Sequence, residues 1–141
     1  MPRGPIPLKA HAALEPFVAV LLIAAPWIFG FDDVKSATAV SIAVGVLMLI
    51  SGMATRWRLS LVKLVPLRTH FRMDLIFGVV LIVAPFVFGD SDRGDATRFL
   101  VIMGILELLT AVSTRWDLRE EVGPRGREAS STGSGRASAA R

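Results

Sequence analysis

The chain has 141 residues, 52% hydrophobic and 20% charged, with a formal net charge of +4. That length is one folding unit, and its charged share lies below the roughly 25% of soluble domains. Cys is absent, which excludes disulfide staples, thiolate metal sites and a Cys nucleophile.

In chain order, residues 1–12 carry Arg3 and Lys9 and read as a cytoplasmic N-terminal segment. Four apolar stretches follow, at 14–31, 37–54, 75–89 and 99–114. About 18 residues of helix rise roughly 27 Å, close to a hydrocarbon core of about 30 Å. The third stretch is short, and is expected to borrow its ends from Met73 and a snorkelling Arg72. A soluble bundle would need a polar stripe at helical period, and residues 18–31 are apolar all round. A cleaved leader is the rival reading of the first stretch. Pro26 directly after Ala24 and Ala25 disfavours cleavage, and the same pattern recurs at Leu75, where no leader can lie.

That recurrence is a duplication. A shift of 59 residues aligns 11–57 with 70–116 without a gap. It pairs His11 with His70, Pro26 with Pro85, Gly30 with Gly89, Asp33 with Asp92 and Gly45 with Gly104. The pairing closes on Thr55-Arg56-Trp57 against Thr114-Arg115-Trp116. Apolar helices share Leu and Val by chance, but not Pro, Gly, Asp and a closing Thr-Arg-Trp in register. The units are residues 13–54 and 71–114, each with two spans, so both enter from the same side and are related by a pseudo-twofold along the membrane normal. The expected fold is all-α: a four-transmembrane-helix bundle of two tandem helical-hairpin repeats in parallel orientation.

Each unit ends its first helix in a Pro-aromatic-Gly motif: Ala25-Pro26-Trp27 through Gly30, and Ala84-Pro85-Phe86 through Gly89. In this the chain resembles the SPW repeat proteins, small bacterial and archaeal membrane proteins with Ser-Pro-Trp in the first helix of each two-helix unit. The resemblance covers about residues 11–116 and implies a fold, not an activity. Ala25 and Ala84 stand where that family has Ser, and Phe86 replaces the second Trp. Read from the residues themselves, Pro kinks the outer end of each helix, the aromatic rings sit at the interface, and Gly permits the turn.

The Lys and Arg residues set the orientation. Of the 16, only Lys35, Arg93 and Arg98 fall on the outer side, which places both termini and the central loop in the cytoplasm of a multi-pass cell-membrane protein. The basic balance then suits anionic lipid, and no folded basic face is expected to hold nucleic acid. Residues 55–70 read as an interfacial linker. Within it Trp57, Leu61, Leu64 and Val65 fall at helical spacing before Pro66, a short amphipathic helix. Residues 115–141 read as a disordered cytoplasmic tail, the part from 123 onward being Gly, Ser, Ala and Arg without an apolar period.

The chemistry is sparse. Glu15 and Asp74 hold equivalent places, expected in the first turns of their helices, where carboxylates complement the helix dipole. His11 and His70 stand four residues before them, close enough to pair on one face. Helix-start capping is the preferred reading of both pairs. A metal site would need three or four ligands and both repeats meeting on the axis; no metal and no cofactor is expected. Glu107 has no counterpart in the other repeat, where Met48 stands. Near the middle of the fourth span it must face the bundle, pair or be protonated, and Gly104 and Thr110 are expected on similar faces. Ala37, Ser41 and Gly45 form a small-residue stripe for close helix approach. No nucleophile with a base in reach and no phosphate-cradling loop is present, so no enzyme is expected. Two functions follow: an accessory bundle that binds the bilayer and a membrane-protein partner or a second copy, or a small proton-coupled transporter using Glu107.

Overall fold

The computed structural model describes residues 3–57 and 60–116. Four helices dominate them: α1 (Leu8–Ile28), α2 (Lys35–Ala54), α3 (Leu67–Val87) and α4 (Gly94–Ser113). Each has 20 or 21 residues and an apolar window, of which at most 39% is buried within the protein. The remainder exposes large apolar side chains on every helix, among them Phe17, Leu47, Ile76 and Leu109. Such a surface would aggregate in water and is what lipid requires. The chain is an integral, multi-pass membrane protein built as an all-α four-helix bundle.

α1 and α3 begin earlier than the apolar stretches suggest. Pro7 and Pro66, both in extended conformation, occupy the N-cap positions. A Pro there sacrifices no hydrogen bond, because the first N–H groups of a helix lack partners within it. The expected unit starts at 13 and 71 are therefore corrected to Leu8 and Leu67. His11 and His70 look like residues outside a span, yet they are buried inside the bundle, so α3 reaches 21 residues without borrowing ends. The repeat extends accordingly, since Pro7-Leu8-Lys9 matches Pro66-Leu67-Arg68 at the same shift of 59.

Within each repeat the two helices cross at small residues. A methyl group added to Gly45 of α2 would lie 2.7 Å from the Ala19 carbonyl of α1, and one added to Gly104 of α4 would lie 2.6 Å from the Gly78 carbonyl of α3. Ala19 and Gly78 are repeat-equivalent, as are Gly45 and Gly104. The expected stripe packs here: Ala37 and Ser41 are buried with Gly45, and Ser41 Oγ donates to the Leu22 carbonyl at 2.6 Å. Gly104 thus faces α3 and does not share a face with Glu107 toward a common cavity.

At the outer end both repeats close as expected. Gly30 and Gly89 have φ of 67° and 78°. The following N–H groups reach back to Pro26 O at 2.8 Å and Pro85 O at 2.7 Å, which completes a Schellman cap. Pro26 and Pro85 are buried, while Trp27, Phe29, Phe86 and Phe88 are exposed as an interfacial rim.

The inner end departs from expectation. No helix forms among the described residues between α2 and α3. The N–H groups of Leu61 and Val62 donate to Met53 O, and those of Leu64 and Val65 to Ala54 O. The loop thus satisfies carbonyls that the end of α2 leaves without partners, and Trp57 is buried while Leu61 and Leu64 stay exposed. The apolar spacing of 57–65 reports neither one face nor one helix. The tail reading also gives up its first residues: Thr114–Arg115 forms β2, parallel to β1 (Ile6–Pro7), and Trp116 is buried. Residues 117–141 lie outside the described residues. The pairing of Ile6 with Thr114 recurs as a bridge between Val65 and Thr55, its equivalent under the 59-residue shift. Each repeat's entry strand therefore docks on the exit of a second helix, and the ring of two repeats closes.

The closure is uneven. α1 packs on α2, α3 on α4 and α2 on α3, whereas a cavity of about 200 Å³ separates α1 from α4.

Candidate functional site

The inner half of the bundle holds the polar residues of the spans. α1 supplies His11 and Glu15, and α3 supplies His70 and Asp74, each pair one turn apart and so on one helix face. Both faces turn to the axis between the repeats, where all four side chains are at most 5% exposed. His11 Nε2 lies 3.4 Å from Asp74 Oδ2 and His70 Nε2 lies 3.3 Å from Glu15 Oε2, both contacts running between repeats. Within α3, His70 Nε2 is also 3.3 Å from Asp74 Oδ1. The capping reading is thereby corrected: Glu15 and Asp74 each stand seven residues into their helices, not in the first turn. The condition set for a metal site, that both repeats meet on the axis, is met.

Thr55 and Thr114, the closing threonines of the two repeats, fix the imidazoles. Thr55 Oγ1 is 2.6 Å from Ser51 O and 2.8 Å from His70 Nδ1. Thr114 Oγ1 is 2.6 Å from Thr110 O and 3.1 Å from His11 Nδ1. A hydroxyl has one proton. With that proton directed to the carbonyl, which can only accept, the hydroxyl oxygen must accept from Nδ1–H. The hydrogen-bond network therefore places a proton on Nδ1 of both rings and turns Nε2 to the centre. His11 Nε2, His70 Nε2 and the carboxylate oxygens of Glu15 and Asp74 are buried and find no hydrogen-bond partner among the described residues.

The closing tryptophans wall this centre from the end of the bundle that holds both repeat exits. Trp116 lies 5.0 Å from the His11 ring centroid and Trp57 lies 4.5 Å from that of His70, both edge-on. Trp116 Nε1–H donates to Ala111 O at 2.8 Å. Leu8, Ala12 and Leu67 complete an apolar plug around the two indoles. Glu15 fits because α2 offers Gly52, where an added methyl would meet the Glu15 carboxylate at 3.0 Å. The equivalent position is Ala111, opposite the shorter Asp74 in the repeat pattern. One methylene has moved from side chain to wall.

Glu107 is buried and lines the cavity between α1 and α4, together with His11, Glu15, Val18 and Thr110. Because α4 starts at Gly94, Glu107 lies six residues from its inner end and not near mid-span. Its counterpart Met48 and the counterpart of Val18, Phe77, are both buried in the core. There α2 packs directly on α3 through these apolar side chains, and the duplication is broken where Glu107 stands.

A family model for the SPW repeat domain matches residues 9–114. The chain belongs to the SPW repeat family. No curated protein and no solved structure matches it. The SPW motif positions, Ala25, Pro26, Trp27 and Gly30 with Ala84, Pro85, Phe86 and Gly89, sit ten or more residues along the chain from Glu15 and Asp74, about 15 Å of helix rise. They build the outer caps and stand apart from the axial centre. The residues that orient and enclose the centre are Thr55, Trp57, Thr114 and Trp116. Their sequence signal was the duplicated Thr-Arg-Trp, which served in the sequence only as proof of the repeat.

Proposed function

We propose that this SPW repeat protein is a cell-membrane bundle, both termini cytoplasmic, whose working part is a cation-binding centre at its inner end. The reading is carried by one observation: two carboxylates and two imidazole Nε2 atoms converge, buried, with no hydrogen-bond partners among the described residues. Ionisable groups at such depth are costly and mark function in membrane proteins. Two carboxylates repel each other unless positive charge lies between them, and the two Nε2 atoms face the same space. The cavity supplies the approach, and the Glu107 carboxyl lines it beside His11 and Glu15. This reading favours ligand binding over catalysis.

Thermal unfolding of the purified protein in mild detergent tests it, across a panel of protons, alkali, alkaline-earth and first-row transition-metal ions. At least one cation should raise the melting temperature of wild type and leave a Glu15→Gln, Asp74→Asn double variant unmoved. A wild-type protein indifferent to every cation in the panel would refute the reading.

A partner-organising role is the second reading. It is favoured by the exposed rim of Trp27, Ile28, Phe29, Phe86, Val87 and Phe88 at the outer end, and a stoichiometric membrane protein copurifying in mild detergent tests it. The transporter reading asks more, since the outer half of the bundle is an apolar core.

A further inference from the structure

The cation can be identified by the geometry of its donors. We propose that His11, His70, Asp74 and Glu15 bind one divalent first-row transition-metal ion, zinc foremost, between the two repeats. The inference rests on the cation-binding reading above and names the ion.

The spacing is the first argument. Tetrahedral zinc with bonds of 2.0–2.1 Å to nitrogen and oxygen has donors about 3.3–3.4 Å apart along each edge of the tetrahedron. Two edges of that length meet at His70 Nε2, which is 3.3 Å from Glu15 Oε2 and 3.3 Å from Asp74 Oδ1, and His11 Nε2 lies 3.4 Å from the other Asp74 oxygen, Oδ2. Charge-assisted N–H···O hydrogen bonds would be shorter, about 2.7–2.9 Å. The donor atoms of His11, His70 and Asp74 all lie within 4.8 Å of one another, and Glu15 joins them through His70. The contacts are longer than such hydrogen bonds and of the length that donors around one bound ion take.

The second argument is the orientation of the rings. Metal-binding His residues characteristically donate the other ring N–H to a fixed acceptor, which sets the tautomer. Thr55 and Thr114 perform that role for both rings, and the duplicated threonines have no other buried polar partner in the described structure than the imidazole and their own helix carbonyl. The third is charge. Two carboxylates and one divalent ion are neutral together, the state a low-dielectric interior favours.

The donor set selects the ion. Two imidazoles and two carboxylates without thiolate suit zinc, cobalt or nickel rather than copper(I). Magnesium and calcium seek six or more oxygen ligands and disfavour imidazole. Of the four ligands, Glu15 and His11 line the cavity. Glu107 lines the same cavity beside them, so the ion enters and leaves from the α1–α4 cleft.

The chain's tryptophans give a direct readout. Trp57 and Trp116 border the centre, whereas Trp27, the third of the three, sits at the outer rim. The full-length protein in detergent is stripped with chelator and titrated with cobalt(II). One equivalent should bind, show the intense visible bands of tetrahedral cobalt, quench Trp57 and Trp116 but not Trp27, and be displaced by zinc. His70→Gln and Asp74→Asn should abolish the bands. Thr55→Val should weaken binding about 10–100-fold, the usual effect of losing a ligand's supporting hydrogen bond, and Thr55→Ser should restore it. X-ray absorption on zinc-loaded wild type, which needs no variant to fold, should show two imidazoles per metal. Absence of stoichiometric cobalt or zinc, or metal without imidazole ligation, would overturn the proposal. If transition metals leave the melting temperature unchanged while other cations raise it, the metal assignment fails and the cation-binding reading survives. If no cation moves it, both fail.

Discussion

Gly45→Ala probes how tightly the first hairpin is closed. The added methyl would lie 2.7 Å from the Ala19 carbonyl oxygen, 2.9 Å from Ile23 Cγ1 and 3.0 Å from Leu22 Cβ. Ordinary contact begins near 3.4 Å, so α1 and α2 must separate by the difference between 3.4 and 2.7 Å, about 0.7 Å. The obstacle is backbone, which cannot rotate away as a side-chain end would. Overpacking of that kind costs about 1–3 kcal/mol. The separation also strains the Ser41 Oγ to Leu22 O hydrogen bond, three residues along α1 from the Ala19 carbonyl. Gly104→Ala, 2.6 Å from the Gly78 carbonyl, should cost at least as much, whereas Leu49→Ile on a partly buried face should cost little. Melting of the three variants in one detergent, followed by circular dichroism, gives the comparison. A Gly45→Ala protein that melts with wild type would mean that α1 and α2 are not in close contact at this point.

The Schellman caps predict that Gly30→Ala and Gly89→Ala each destabilise by roughly 1 kcal/mol, the cost of holding a side chain at positive φ; both sites have open space around the new methyl, so an unchanged melting temperature would refute a conformational cause. Glu107→Gln should fold like wild type and slow cation uptake through the cleft, while Glu107→Leu should slow it further; equal stopped-flow rates would show that ions enter by another route. Reporter fusions after Thr55 and Arg119 should be active in the cytoplasm and one after Lys35 inactive, as the Lys and Arg distribution requires; an active Lys35 fusion would refute that topology.

The membrane, the four helices and the duplication are written in residue types. Residues 18–31 are apolar all round, and a 59-residue shift carries Pro, Gly and Thr-Arg-Trp onto themselves. Local chemistry also decided the outer caps, because a Gly after a helix end can take positive φ wherever it stands. Burial is not local, and there the sequence misled. His11 and His70 looked like residues at a membrane surface, so the helix starts were placed too late and the acids of Glu15 and Asp74 were assigned to first turns. The segment 57–65 kept a helical apolar spacing, but the free carbonyls of Met53 and Ala54 claimed its N–H groups. Partnership across the axis is the other thing no linear pattern holds. The spacing of four between His and acid suggested pairs within each helix, which α3 keeps between His70 and Asp74, and the contacts that join the repeats run from His11 to Asp74 and from His70 to Glu15. Only the closing of the two repeats brings those atoms within 3.4 Å. Only the uneven closing of that ring leaves Glu107 in a cavity where Met48 is packed in the core.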